Sequence, residues 1–411
     1  MTAPSVATVS VDEHLATVLA AVSPLEPLEL LLSDAAGALL AEDVVAPRPL
    51  PLFDFAAVDG YAVRLSDVAR TSRTKPVVLT VVGGGPVAAL SVQEGIAVRV
   101  AAGVQLPAGS EAVLPFEWTD GGEDTVEVHR TPSPNQFVRR RGDDVVEGAT
   151  VLTRGTQLGA VQAGILASLG LGRVRVHPRP RVVVLSTGGA LLEAGENVQG
   201  GHSFDGVSHG LAAAAREAGA TPYRLSNVPT TVDALSGVIE DHLIQADVVV
   251  IAGAVRPSGY DPLFEVLDRL GTVGLRRVAL DPGPLHVFGR IGDDAIPVFV
   301  LPVDVVAAMV GFELFVRPAL RRMLGAPSTQ RPQVQAELTR AIRSVPGPRH
   351  YVRAQVRHDP ARGYLATPVG TGAPTLTSLA AANAFVVVPE DREKVEAGTS
   401  LAAVLLERRG V

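Results

Sequence analysis

Apolar positions recur at three- and four-residue spacing over 11–30 (VDEHLATVLAAVSPLEPLEL), which predicts a helix. Ser10 and Glu13 supply a capping box at its start, and Pro24 breaks its phase. The next segment, LLLSDAAGALLAEDVVA, reads as strand, helical turn and strand, and the proline-rich 46–58 (APRPLPLFDFAAV) reads as a connector. From 61 to about 135 the period shortens to two between glycine turns (YAVR, PVVLTVVG, GIAVRVAAG, EAVLPFEW, TVEVHRT), which predicts a mostly β domain. A return segment at 136–148 leads to a helix over 155–170 that Gly170 or Gly172 ends. This helix is expected to pack on the first one, which would make the helical subdomain discontinuous, 1–50 with 136–178, around a β-rich 51–135.

From 179 to 325 the pattern alternates between strand and helix. RVVVLSTGG, DVVVIAG and PVFVLP are flat in hydrophobicity, as strands buried on both faces are. SHGLAAAAREAGA, TVDALSGVIEDHLIQA, PLFEVLDRLG and DVVAAMVGFELFVRPALRRMLG carry helical spacing. After a linker at 326–332, the remainder to 411 alternates again and reads as a small β-barrel-like domain. The fold class is therefore multidomain α/β plus β.

Composition narrows the function. A net charge of -7 without basic blocks argues against a nucleic-acid binder. The absence of cysteine excludes disulfides and thiolate metal sites. No basic region with an apolar core opens the chain, so no signal peptide is expected, and the apolar 296–316 is interrupted by Pro302, Asp304 and Glu313. A cytoplasmic protein is the expectation.

The chemistry should lie in four turns that follow strand-like runs: STGGAL (186–191), AGAVRPSGYD (252–261), DPGPLHVFG (281–289) and LPVDVVAA (301–308). Loops at the carboxyl ends of parallel strands are where open α/β sheets bind ligands. Ser186, Thr187, Gly188 and Gly253 offer a weak N–H nest for an anion. Otherwise these turns present mainly alanine, valine, proline and leucine. No P-loop, GxSxG elbow or HExxH is present, and His202 with His209 lacks a third strong ligand, so no metal site is expected.

Several segments carry a resemblance that spans nearly the whole chain: PLFDFAAVDGYAV (51–63), VAAGVQLPAGSEAVLPFE (100–117), RGDDVVEGATVL (141–152), RPRVVVLSTGG (179–189), FELFVRPALRRMLG (312–325) and GTGAPTLTSLAAANAFVVVPE (370–390). The chain resembles the molybdopterin molybdenumtransferase family, MoeA and the gephyrin E domain. The resemblance implies an elongated four-subdomain fold, with a three-layer α/β subdomain of MoaB/Mog type at 179–325 and the barrel-like domain at 326–411. It also implies a homodimer and, in an active member, insertion of molybdate into adenylyl-molybdopterin with Mg²⁺.

Against that pattern, Asp59, Asp144 and Asp261 match family carboxylates. The family's TGDEL is TGGAL here, so Gly189 and Ala190 replace two carboxylates; Arg256 and Gly259 replace a serine and an aspartate; Asp281 and Pro284 replace two lysines; Val303, Asp304 and Val305 replace glycine, asparagine and proline. Because the ligands are anionic, Lys to Asp at 281 moves the local charge by two units in the wrong direction. The three aspartates also have structural readings, and these are preferred. Asp59 is a turn residue in D-G-Y, Asp261 a helix cap, and Asp144 with Asp143 an ion-pair cluster with Arg139, Arg140 and Arg141.

The leading expectation is thus a gephyrin-like adaptor with degraded active-site loops, lacking transferase activity and needing no cofactor. It would bind a short peptide from a membrane receptor or an FtsZ-like division protein, with recruitment to the membrane or division site. By resemblance the peptide groove involves Phe312, Pro318, Leu320, Pro374 and Phe385. The rival expectation is an active molybdenumtransferase with a rebuilt site.

Overall fold

The computed structural model describes residues 8–83, 90–188, 191–197, 200–226, 228–229, 231–253, 261–370 and 375–406. The chain forms two compact units, one of residues 29–176 and one of residues 1–28 with 177–411.

The larger unit is built on a seven-stranded mixed sheet. Its elements are α1 (Val11–Ala20), β1 (Arg181–Ser186), α2 (Gly206–Glu217), β2 (Thr221–Leu225), α3 (Val232–Leu243), β3 (Val248–Ala252), α4 (Pro262–Leu270), β4 (Gly271–Val278), β5 (Leu285–Ile291), β6 (Ile296–Leu301) and α5 (Val305–Gly311). A π-helical turn, Phe312–Val316, joins α5 to α6 (Arg317–Met323). The sheet order is Thr8–Val9, β4, β5, β6, β3, β1, β2. Strands β6, β3, β1 and β2 run parallel, β5 is antiparallel between β4 and β6, and Thr8–Val9 lies parallel to β4.

The flat hydrophobicity of β1, β3 and β6 follows from cover on both faces. Val182, Val184, Val248 and Val250 pack with α1, α2 and α5, while Val183, Leu185, Val249 and Ile251 pack with α3 and α4. Each such buried valine or leucine contributes about 1.5–3 kcal/mol.

The C-terminal strands β7 (Gln333–Leu338), β8 (Arg349–Asp359), β9 (Gly363–Pro368), β10 (Ala384–Val388) and β11 (Ser400–Leu405) close into a barrel in the order β8-β9-β7-β11-β10-β8. Closure leaves no free edge, and α7 (Leu376–Ala380) lies between β9 and β10 in the chain.

The smaller unit holds a five-stranded sheet in the order Thr125–Val128, Val77–Val82, Ile96–Val100, Gly60–Val63, Ala112–Pro115. Gly60 is required there by close approach, since a Cβ would meet the Leu114 carbonyl oxygen at 1.9 Å.

Three expectations change. The first helix carries its predicted capping box but ends at Ala20, and Leu28–Leu31 is a strand. The helix Ala160–Ser168 buries Leu166 in the smaller unit's core with Leu40 and Val176, whereas α1 buries Val11 and Val18 in the α/β core, so the two helices serve different cores. Both have apolar faces, and spacing alone does not say which surface each one covers. Finally, 285–289 is the start of β5 and not a loop. Val287 and Ile291 enter the apolar core, so its run of alternating residues is strand pattern rather than ligand loop.

Candidate functional site

Between β1 and β3 the chain leaves the sheet in opposite directions, β1 leading through α2 to β2 on one side while β3 leads away on the other. That divergence creates a crevice at the strands' carboxyl ends. The cleft there encloses about 620 Å³ and is lined by Ser186–Gly188, Ser203–Val207, Ala252 and Val303–Val305, with Leu191 and Leu376. The loops are tied together beneath it: Thr187 N–H donates to the Ala252 carbonyl (2.8 Å) and Gly253 N–H to that of Leu301 (3.0 Å). A smaller hollow of about 230 Å³, lined by Gly253, Gly283–Leu285, Val300, Pro302 and Val303, adjoins it through Val303. At Gly253 a Cβ would meet Leu263 at 2.5 Å and Thr187 Oγ1 at 2.9 Å, so only glycine lets the β3 loop lie this low.

The cleft has a polar wall that loop composition did not reveal. Asp205, 8% exposed, is the N-cap of α2 and accepts the Ser208 N–H at 3.0 Å. The same carboxylate accepts the Ser186 hydroxyl at 3.0 Å and the Ser208 hydroxyl at 2.5 Å. Behind it, Arg224 donates to both oxygens of Glu193 (2.6 and 2.8 Å) and to Ser208 Oγ (3.3 Å). This guanidinium holds the Glu193 carboxyl below the usual carboxylate range. Phe204, Val303 and Leu376, exposed at 48, 49 and 55%, give the same lining an apolar part. An apolar cleft with a few convergent polar groups is the usual form of a small-molecule site.

A buried cation from outside the four turns acts on Asp281 and Asp304. Arg353 of β8 is only 6% exposed, and its Nε donates to Ser378 Oγ of α7 at 2.9 Å. Burial lowers its pKa, opposed by the charges of Asp281 and Asp304. His350, also on β8, sets its Nε2 3.6 Å from Asp281. Asp281 and His350 are register partners where Leu280–Asp281 pairs with β8. Position 281 thus faces a barrel strand distant in sequence, which carries both His350 and Arg353.

Ser186, Thr187 and Gly188 come together in the cleft, and Gly253 lines the adjoining hollow. Asp261 caps α4, accepting the Leu263 and Phe264 N–H groups at 3.1 and 3.2 Å, and Asp304 caps α5. Asp59 lies in the smaller unit and accepts the Ala102 N–H at 2.7 Å, joining two turns. Asp144 is in that unit too, and the ion pair expected for it and Asp143 forms elsewhere: Arg140 pairs with Asp54, and Asp143 accepts the Arg140 N–H. Gly189, Ala190, Arg256, Gly259 and Pro374 lie outside the described residues. Among the described residues no three His, Cys, Asp or Glu side chains converge on one point as an all-protein metal site would require.

The peptide groove is corrected by burial. Phe312, Leu320 and Phe385 are at most 1% exposed and belong to the α/β core, and Pro318 is buried, so these side chains are not available to a peptide. Sequence reasoning missed Asp205, Ser208, Glu193, Arg224 and Arg353. The only signal for the first two was an aspartate three residues before a serine at a helix start.

Three family profiles match in order: "MoeA N-terminal region (domain I and II)" at 9–170, "Probable molybdopterin binding domain" at 183–322 and "MoeA C-terminal region (domain IV)" at 335–406. The chain is 39% identical to molybdopterin molybdenumtransferase 1 of Mycobacterium tuberculosis, covering 98% of this chain and all of that protein. It is 35% identical to molybdopterin molybdenumtransferase 2 of the same organism, over 95% and 98%. The crystal structure of a molybdopterin biosynthesis MoeA protein from Pyrococcus horikoshii superposes with a TM-score of 0.84 at 29% identity, over 98% of this chain and all of that one. Full-length identity to proteins named as transferases overturns the adaptor expectation. Its degraded site, peptide and division-protein partners and recruitment to a division site fall with it. Polar groups on the four turns alone understate the site, because the cleft is also lined by the α2 cap Asp205, which Ser208 and Arg224 support from behind. The chain belongs to the MoeA/molybdopterin molybdenumtransferase family.

Proposed function

We propose that this protein is a molybdopterin molybdenumtransferase that inserts molybdate into adenylyl-molybdopterin, with the pterin held in the 620 Å³ cleft. The observation that carries the reading is the pairing of a buried, fully organised carboxylate with an exposed apolar wall at the strand crossover. The amino-pyrimidinone edge of a pterin presents N–H donors, which suit Asp205, and its flat ring suits Phe204, Val303 and Leu376. The ligand's phosphates and molybdate are anions. The α2 N-terminus, and the Arg353 cation whose charge acts on Asp304 of the lining, offset that charge. Val303 divides the cleft from the smaller apolar hollow, which leaves two compartments for a two-part ligand.

Calorimetric titration with molybdopterin and adenylyl-molybdopterin, followed by molybdate and reconstitution of an apo-molybdoenzyme, tests the reading. Saturable binding and active cofactor are expected. A flat isotherm from folded protein refutes it.

A further inference from the structure

We propose that Arg224 and Glu193 form a positioning pair that sets the cleft's polar wall, holding Asp205 and the 191–193 segment where a ligand meets them; this rests on reading the cleft as the molybdopterin site. Arg224 sits on β2, the edge strand, and no β2 residue lines the cleft, yet its guanidinium reaches two parts of the cleft's frame.

One is the pair of short parallel strands Leu191–Leu192 and Ser203–Phe204, which together carry Leu191, Ser203 and Phe204 of the lining. This ribbon is a separate two-stranded sheet, a form too small to hold itself in place in water. Its two strands are joined at their carboxyl ends by the Asp205 N–H to Leu192 carbonyl bond (3.0 Å), and that same end is held from outside by the two-pronged Arg224–Glu193 contact. His209 Nε2 also lies 3.4 Å from Glu193 Oε2.

The other is the Asp205 carboxylate itself. A serine hydroxyl can turn to several partners. Arg224 donates into the Ser208 oxygen at 3.3 Å, which directs the Ser208 proton to Asp205 at 2.5 Å. Arg224 thus acts through Ser208 and touches no cleft ligand. A fork of two parallel N–H bonds is arginine geometry that lysine does not reproduce.

The test measures affinity for molybdopterin in the wild type, Arg224→Gln, Arg224→Lys, Glu193→Gln, Ser208→Ala and the Arg224→Gln/Ser208→Ala double variant, each checked for folding. Arg224→Gln is expected to weaken binding about tenfold, with Arg224→Lys between it and wild type. Glu193→Gln, at a partly exposed carboxylate that spares the buried one, is expected to weaken it about threefold and covers the case in which Arg224 variants misfold. If Arg224 works through Ser208, the double variant is no weaker than Arg224→Gln alone. Full additivity of the two losses, or unchanged affinity in Glu193→Gln and Arg224→Gln while wild type binds, overturns the positioning role. Wild-type protein that binds no molybdopterin overturns the site reading and this inference together.

Discussion

Two histidines buried in the α/β unit make its stability fall with acid before its carboxylates titrate. His14 of α1 and His286 of β5 have ring centres 5.7 Å apart, and both pack edge-on against Phe315 at 4.6 and 5.1 Å. They are 1 and 2% exposed. His286 Nε2 donates to the Gly283 carbonyl at 2.9 Å, while His14 Nδ1 has no partner among the described residues. Burial pushes His14 down from 6.5 to about 3, with His286 and Arg276 adding repulsion, and pushes His286 down to about 4.

A histidine depressed in the folded state binds its proton more readily when unfolded, so its contribution is complete above pH 6.5 and is lost as pH falls toward the folded value. At pH 5 both remain neutral in the fold and are protonated in the unfolded chain. The cost between pH 7 and pH 5 is about 2 kcal/mol per histidine, about 4 kcal/mol for the pair. Because Trp118, the single tryptophan, lies in the other unit, its fluorescence is the wrong probe. Hydrogen exchange at the buried amides of β1 and β3 reports opening of this core. His14→Leu is expected to reduce the loss between pH 7 and pH 5 by about 2 kcal/mol. His350, whose pKa burial also lowers, contributes equally to both proteins and cancels. An unchanged pH slope in His14→Leu would show that the pair is not neutral in the fold and refute the reasoning.

Three further outcomes follow from the packing. Gly60→Ala drives a Cβ to 1.9 Å from the Leu114 carbonyl oxygen, and about 3 kcal/mol or more of the smaller unit's stability should be lost, read from Trp118 fluorescence in urea. Glu313 is nearly buried and pairs with Arg331 at 2.9 Å and Arg317 at 3.7 Å, so Glu313→Gln removes a charged acceptor that both guanidiniums meet and should cost about 1.5–3 kcal/mol by calorimetry. Asp281→Asn removes one of the two carboxylate charges acting on Arg353, and molybdate affinity should rise roughly three- to tenfold in equilibrium dialysis, whereas a fall would exclude Arg353 as the cleft's cation.

Much of this molecule is legible in its sequence because local patterns follow directly from burial. The flat runs at 182–185 and 248–252 are strands covered on both faces, the Ser10/Glu13 box caps α1, Asp261 caps α4, and the alternating C-terminal segment closes into a barrel. The Ser186–Gly188 turn and the Gly253 turn lie at the carboxyl ends of β1 and β3, where the strand-then-turn pattern puts them. What tertiary structure alone decided was which distant groups complete the site. Arg224 is 31 residues from Glu193 and Arg353 is 72 from Asp281, and neither stands in a motif. A charge compensated through space leaves no trace in spacing, since its partner is selected by strand order and barrel closure. The charges along each turn therefore describe an impoverished site, whereas the fold brings a carboxylate network at the α2 cap to the crevice and sets the barrel's Arg353 near Asp281 and Asp304.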